Sequence, residues 1–427
     1  MDLAASRART AIARGTAVGV IVLLIIIAVG GGYYYYSTTL TPASSGPSVI
    51  KIGLTSPLTG TFAEDGTMSL DGLKLWAQNV NASGGIYVSS VGKKLPVQLV
   101  YFDDTSSTSV VATDYQTLVT QGVNFLIAPY SSPLTLAAAP IAEANHILLL
   151  SHGGASDSIF SKGYKYVVQV LSPGSQYMIP VLKMLQNLNG STPIKVAFFY
   201  GNDAFSISVI QGAEKYVNST SGFNVVYSQS YDETASSYTA QLSAIAALKP
   251  DVLIGGAHFA DGETIMKNIQ SLGLHFNMVA LLVAPDDVHF SSDLGFLASN
   301  VVGPSQWESN LNFASFSPYG NMTGTQFASQ FQSAFPSVGA PNYEAAEAYA
   351  TGLTLQKGIT DSGSLNSTVV RNQLANENFW TFYGHFQIGS TGIQTGHTLV
   401  VMQWQNGAKQ IIWPRAVATA TFVYPMP

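Results

Sequence analysis

Two pairs of small polar residues stand where backbone and side chain together can receive an anion or an amide. Ser131 and Ser132 follow a short apolar run, Val123 to Ala128. A hydroxyl there, with free backbone N–H groups, suits a carboxylate or amide oxygen. The same serines also suit a plain turn. Gly153 and Gly154 precede Ala155 and Ser156 after a second run, His146 to Ser151. Glycines let a backbone approach a ligand closely.

Chemistry of the bond-breaking kind is hard to find. The seven histidines are scattered, and there is no cysteine. That removes a thiol nucleophile, disulfides, cysteine-based zinc sites and a lipidated cysteine. No His-Glu-x-x-His helix, Gly-x-Ser-x-Gly elbow or P-loop occurs. Asp103 and Asp104 sit together at a strand end and read as turn and helix-cap carboxylates. A glycosidase pair would need a defined separation that spacing alone does not supply. The chain reads as a binding protein with no catalytic residues, no metal and no cofactor.

The elements that must position these loops repeat. Val49 to Leu54, Val97 to Phe102 and Val123 to Ala128 are short apolar strands separated by helical segments. Ile194 to Tyr200, Asn224 to Tyr227 and Asp251 to Gly255 restart the same order. Short apolar strands alternating with helices predict parallel sheets covered on both faces. Two such units predict an α/β protein of two Rossmann-like lobes. Ligands in open α/β sheets sit beyond the carboxyl ends of the strands. Facing lobes would make those ends the walls of one cleft that closes by a hinge. Phe327 to Phe335 and Tyr343 to Gly358 read as helices, and Phe382 to Trp413 as short strands and hairpins.

The N-terminus reads as an address. Residues 1–15 form an arm with Arg7, Arg9 and Arg14; residues 16–36 are apolar and end in four tyrosines. As a helix, 16–36 spans about 30 Å at ~1.5 Å per residue, enough to cross hydrocarbon. Positive charge before it and none after predicts a body outside the cell. A retained anchor is the preferred reading, with a cleaved secretory signal as the alternative. Arg14-Gly15 also resembles an archaeal pilin-like processing site. Residues 37–48 read as a Ser/Thr/Pro stalk. Asn81, Asn189, Asn218, Asn321 and Asn366 each begin an N-x-Ser/Thr sequon, which fits an exported, glycosylated surface.

Composition agrees. The chain has 427 residues, is 47% hydrophobic and only 10% charged, with a net charge of -6. A mildly acidic body without a basic stripe argues against nucleic-acid binding. So few charges fit an exterior that stays folded in acid.

Ile50-Lys51-Ile52-Gly53, Pro57-Leu58-Thr59-Gly60, Asp71-Gly72 and Asn81-Ala82-Ser83-Gly84-Gly85-Ile86 resemble the opening of branched-chain amino acid and amide solute-binding proteins of ABC transporters. Ile127 to Ser132, Ser151 to Ser156, Phe382-Tyr383-Gly384 and Ile412-Trp413-Pro414 follow in the family's order. The resemblance implies a type I periplasmic-binding-protein fold with a three-strand hinge. It places lobe one at 49–171 and 310–388, and lobe two at 172–309 and 389–427. It also implies two partners, an ABC permease and its ATPase.

By the same resemblance a serine here holds a ligand carboxylate, Ser132 matching best with Ser131 beside it, and Ala155 and Ser156 stand against the same group. Phe205 would pack on the ligand. His258 stands where the family often has Tyr. Asp286 would meet a ligand ammonium, so that Ser132 and Asp286 select a zwitterion. Two other functions stay open: a ligand-sensing receptor ectodomain and a structural or adhesive surface glycoprotein. The 427 residues carry no kinase or other signalling domain, which favours transport over sensing.

Overall fold

The apolar runs become the cores of two separate sheets. The computed structural model describes residues 23–29, 31, 46–188, 192–311 and 319–427. Residues 1–48 and 49–427 form two units, and the fold described below belongs to the second. Of the expected membrane segment, Leu23 to Val29 are helical and exposed, and most of the rest lies outside the described residues. Among the described residues no helix is long and apolar enough to cross a membrane.

Lobe one holds β1 (Ile50–Ser56), β2 (Val97–Asp103), β3 (Phe125–Ile127), β4 (Leu149–Ser151) and β5 (Val167–Gln169), in the order β2-β1-β3-β4-β5. All pairs are parallel. Side chains alternate between faces, as period two requires. Ile50, Ile52 and Leu54 join one core; Leu126 joins the core on the opposite face. Helix α1 (Ala63–Ala82), α2 (Thr108–Thr120) and α3 (Ser132–Ala144) connect the first strands.

Lobe two repeats the plan. Strands β6 (Ile194–Gly201), β7 (Phe223–Tyr231), β8 (Val252–Gly256), β9 (Met278–Leu281) and β10 (Val302–Ser305) take the order β7-β6-β8-β9-β10. An antiparallel hairpin, β11 (Val400–Gln405) and β12 (Ala408–Trp413), extends the sheet beside β10. Helices α4 (Ala204–Ser219) and α5 (Phe259–Ser271) follow β6 and β8. Both lobes therefore carry a doubly wound order with its switch point beside the first strand.

Later segments return to lobe one. Helix α6 (Gly324–Ala334) and α7 (Tyr343–Ser362) pack with α1. Every residue from Tyr343 to Leu355 is buried, so α7 is an internal helix. Its approach to α1 depends on two glycines. A Cβ at Gly72 would overlap the Ala345 backbone, and one at Gly352 would overlap the Trp76 ring.

Among the described residues, three stretches carry the chain from one sheet's core to the other's, and Ala155 of a lobe-one loop also reaches the second core. Val170 belongs to the first and Leu171 to the second; Val302 to the second and Trp307 to the first; Ile388 to the first and Leu399 to the second. Side chains tie the three passages together. Gln306 Oε1 accepts the Ser172 N–H at 3.1 Å, and the Ser172 hydroxyl lies 2.8 Å from His397 Nδ1. Burial pushes the His397 imidazole down to about 4, so the ring is neutral in this dry joint.

Candidate functional site

The loops at the carboxyl ends of the parallel strands launch helices, and several of those helix starts converge. Ser131 precedes α3, Asp203 precedes α4 and His258 precedes α5. The Asp203 carboxylate caps α4 by accepting the Phe205 N–H at 2.7 Å and the Ser206 N–H at 3.2 Å. Ser156 caps the short helix Asp157–Phe160. Helix starts present unpaired N–H groups and the positive end of the backbone dipole.

Between them lies a narrow cavity that leaves about 10 Å³ to a water-sized sphere. That is room for about one water, so a solute enters only as the lobes part. Tyr130, Ser131 and Gly153 supply the lobe-one wall. Tyr177, Phe205, His258 and Val283 supply the lobe-two wall. Tyr343 and Glu347 close it from α7. The two lobes touch across it. Tyr130 and His258 share a hydrogen bond of 2.8 Å between the phenol oxygen and Nδ1. The Phe62 ring meets His258 edge-on at 4.8 Å. A second latch joins Asp157 to α4, whose Ser208 hydroxyl donates to Oδ2 at 2.6 Å.

The residues singled out in the sequence fall into three groups. Ser131, Phe205 and His258 line the cavity. The buried Ser131 hydroxyl has no hydrogen-bond partner among the described residues. Ser132, Ala155 and Ser156 stand behind this wall as its framework. Ser132 Oγ accepts the Ser156 N–H at 3.0 Å, and the Ala155 carbonyl accepts the Gly174 N–H at 2.7 Å. Asp286 is absent from the lining. Its carboxylate meets Lys409 Nζ at 3.1 Å and accepts the Tyr343 N–H at 3.2 Å. Ser132 and Asp286, expected to face each other across the cleft, each have partners of their own, Ser156 for the first and Lys409 and Tyr343 for the second. Lys409 arrives on β12, far away in sequence, so nothing near Asp286 announced it.

Sequence reading missed the acids of α7 and α1. Glu347 lines the cavity, fully buried, and its Oε1 has no hydrogen-bond partner among the described residues; its Oε2 accepts the Tyr383 hydroxyl at 3.2 Å. Both carboxylate oxygens of Glu344 and Oδ1 of Asp65 are likewise buried without a partner among the described residues. Burial pushes all three carboxyls well above the usual range; repulsion from Asp287 adds to it at Asp65, and repulsion from Asp65 adds to it at Glu344 and Glu347. His152 Nδ1 lies 3.8 Å from Glu347 Oε1, but burial pushes that imidazole down to about 4, leaving it neutral. The available signal was two glutamates three apart in an Ala-rich run with no basic residue near them.

Two further groups place one donor atom per residue within 4.8 Å of one another: Glu64, Asp287 and His289, and Asp203, Glu233 and His258. Each could hold a metal ion, although the sequence suggested none. Burial and the neighbouring Asp203 push the Glu233 carboxyl up to about 8. Among the sequons, Asn218, Asn321 and Asn366 are exposed, and Asn189 lies outside the described residues. Asn81 is exposed too, but its amide pairs with both backbone groups of Val97, at 2.7 and 2.9 Å.

With this geometry in view, the comparisons with known proteins are direct. A family profile described as periplasmic binding protein matches residues 49–409. The Leu/Ile/Val-binding protein homolog 7 of Brucella abortus is 21% identical over 391 residues, covering 88% of this chain and 94% of the relative. The solved structure of the branched-chain amino acid transporter substrate binding protein LivJ from Streptococcus pneumoniae, in complex with isoleucine, superposes with a TM-score of 0.72. Identity is 21%, over 86% of this chain and 100% of that one. An ABC-transporter solute binding protein from R. palustris, in complex with benzoate, gives a TM-score of 0.72 at 18% identity, over 88% and 98% of the two chains. At these identities the superpositions show a shared fold.

Proposed function

Since the chain belongs to the periplasmic binding protein family, we propose that it captures a small amino acid-like or amide solute between its lobes and delivers it to an ABC permease driven by an ATPase. It is a binding protein and not an enzyme. The observation that carries this reading is the cavity at the carboxyl ends of both sheets, walled by both lobes and bridged by Tyr130 and His258. Three tied passages between the lobes supply a hinge about which the walls can part and close.

Within this reading the start of α3 receives the oxygen end of the solute. The free Ser131 hydroxyl faces it, and Ser132, Ala155 and Ser156 hold the loops that shape it. Phe205 and His258 cover it from lobe two. The relatives named above extend the choice of solute from isoleucine to benzoate. Residues 16–36 anchor the body outside the membrane in this reading, with 37–48 as the stalk.

The test is a thermal-shift screen of protein stripped of bound solute by unfolding and refolding. A ligand at ~100 times its dissociation constant adds about 2.7 kcal/mol to stability. A saturable shift with a small carboxylate, amino acid or amide is the expected result. A folded protein that responds to none of them overturns the reading. Membrane fractionation of producing cells, with N-terminal sequencing, tests the anchor: release of the body by carbonate washing would refute it.

A further inference from the structure

Charge around the cavity is arranged unequally. Asp286 and Glu308 share Lys409, whose Nζ lies 3.1 and 3.4 Å from them. Asp65, Glu344 and Glu347 have no Lys or Arg partner among the described residues. Four of their oxygens are buried without a hydrogen bond: Asp65 Oδ1, both of Glu344 and Oε1 of Glu347. Removing one carboxylate from water is costly unless something compensates it, and here three lie on two adjoining helices. His152 cannot compensate, because the imidazole is neutral at its site.

Glu347 differs from the other two in reaching the cavity itself. Around it the walls are aromatic: Tyr130, Tyr177, Phe205 and Tyr343. Aromatic faces attract cations, most strongly where water is excluded. An aromatic enclosure lined by a carboxyl group with one oxygen free is a poor home for an anion and a good one for a cationic nitrogen. Glu347 and Tyr343 come from α7, whereas Tyr130, Tyr177 and Phe205 come from other segments of both lobes.

We infer that the solute carries a cationic nitrogen, seated on Glu347 Oε1 within the wall of Tyr130, Tyr177, Phe205 and Tyr343. Burial holds Glu347, Glu344 and Asp65 toward their neutral forms in the solute-free protein, and the cation supplies the counter-charge that lets Glu347 ionise. This rests on the solute-capture reading above and narrows it. Carboxylates without a basic nitrogen, such as benzoate, fall outside the class. The cation subsite belongs to α7 in lobe one, and not to Asp286 at the strand end of lobe two, where Lys409 already stands.

Matched probes test it. Stripped protein is titrated calorimetrically with alanine, leucine and 4-aminobutyrate, with their N-acetyl derivatives, and with propionate, 4-methylpentanoate, butyrate and benzoate. The first set has a cationic nitrogen; the others lack one, and all but benzoate keep a carbon skeleton of the first set. Binding by at least one amine-bearing probe is expected, with its N-acetyl form weaker by at least 30-fold. Glu347→Gln should weaken that amine at least 10-fold. Glu347→Asp, which keeps the charge, should recover part of the loss, and circular dichroism identifies any variant that fails to fold. Should neither variant fold, the N-acetyl comparison on the unaltered protein decides. Equal binding of acylated and free amines, or hits confined to the nitrogen-free acids, overturns the cation subsite and leaves solute capture standing. No binding by any probe overturns both.

Discussion

The phenol oxygen of Tyr130 lies 2.8 Å from Nδ1 of His258, and the two residues belong to different lobes. Tyr130 follows β3 and His258 follows β8, so equivalent strand ends meet across the cleft. A buried hydrogen bond of this kind contributes about 0.5–1.5 kcal/mol. It forms only when the lobes are together. Tyr130→Phe should therefore weaken solute affinity roughly 2–10-fold, mainly through faster release. Stopped-flow release and titration calorimetry would show it; an unchanged affinity would mean that the bond plays no part in closure.

Ser132 supports the lobe-one wall by accepting the Ser156 N–H at 3.0 Å. Both residues are fully buried. Ser132→Ala strands that N–H, which costs about 1–3 kcal/mol. The urea midpoint should fall, and solute affinity should fall with it because two binding loops lose their register. A variant as stable as the parent would remove this role from Ser132.

The joint between α1 and α7 makes a sharper test of packing. Gly352 lies against the Trp76 ring with no room for a Cβ. Trp76 is itself fixed, donating from Nε1 to Gln356 Oε1 at 3.2 Å. Gly352→Ala should destabilise the protein by about 1–3 kcal/mol, as overpacking does, despite alanine's better helix propensity. Chemical denaturation measures it, and a stabilised variant would contradict the packing described.

Stability should rise on acidification from pH 8 to 5. Burial pushes Glu233 and Glu308 up to about 8, and Asp104 and Asp287 up to about 6. Each raised carboxyl contributes stability that is complete below its unfolded value, near 4, and is lost as pH climbs through the folded value. His152 and His397, pushed down to about 4, work the other way. Their contribution is present above the unfolded value near 6.5 and is lost as pH falls toward 4. The carboxyls outnumber them, so the melting temperature of solute-free protein should climb over that interval. A steady decline from pH 8 to 5 would show that these groups are solvated.

Glycan occupancy should differ among the sequons. Asn218, Asn321 and Asn366 are exposed, whereas the Asn81 side-chain nitrogen donates to the Val97 carbonyl at 2.9 Å. Glycopeptide mass spectrometry of material from the native host should find sugar at one or more of the first three and none at Asn81. Modification of Asn81 would mean that the Val97 pairing forms after glycosylation or not at all.

How much of this was legible in one dimension depends on range. Strands such as Ile50–Ser56 and Ile194–Gly201 announce themselves because a buried parallel strand must be apolar on both faces. Their repeated order made two doubly wound lobes the only simple reading, and loops at strand ends placed Ser131, Phe205 and His258 near a cleft. Side-chain partnership is another matter. Asp286 looked like a ligand acid until Lys409, 123 residues later, was found beside it. Glu347 lay in a segment legible only as a helix, and burial on every side of α7 leaves its Oε1 without a hydrogen bond at the cavity among the described residues. Local pattern determines which elements form and which loops can bind, because backbone hydrogen bonding and hydrophobic periodicity are short-range constraints. Which charges meet, and which stay free for a solute, is decided only when distant segments pack, because the strength of a charge depends on the water and the counter-charges that folding removes or supplies.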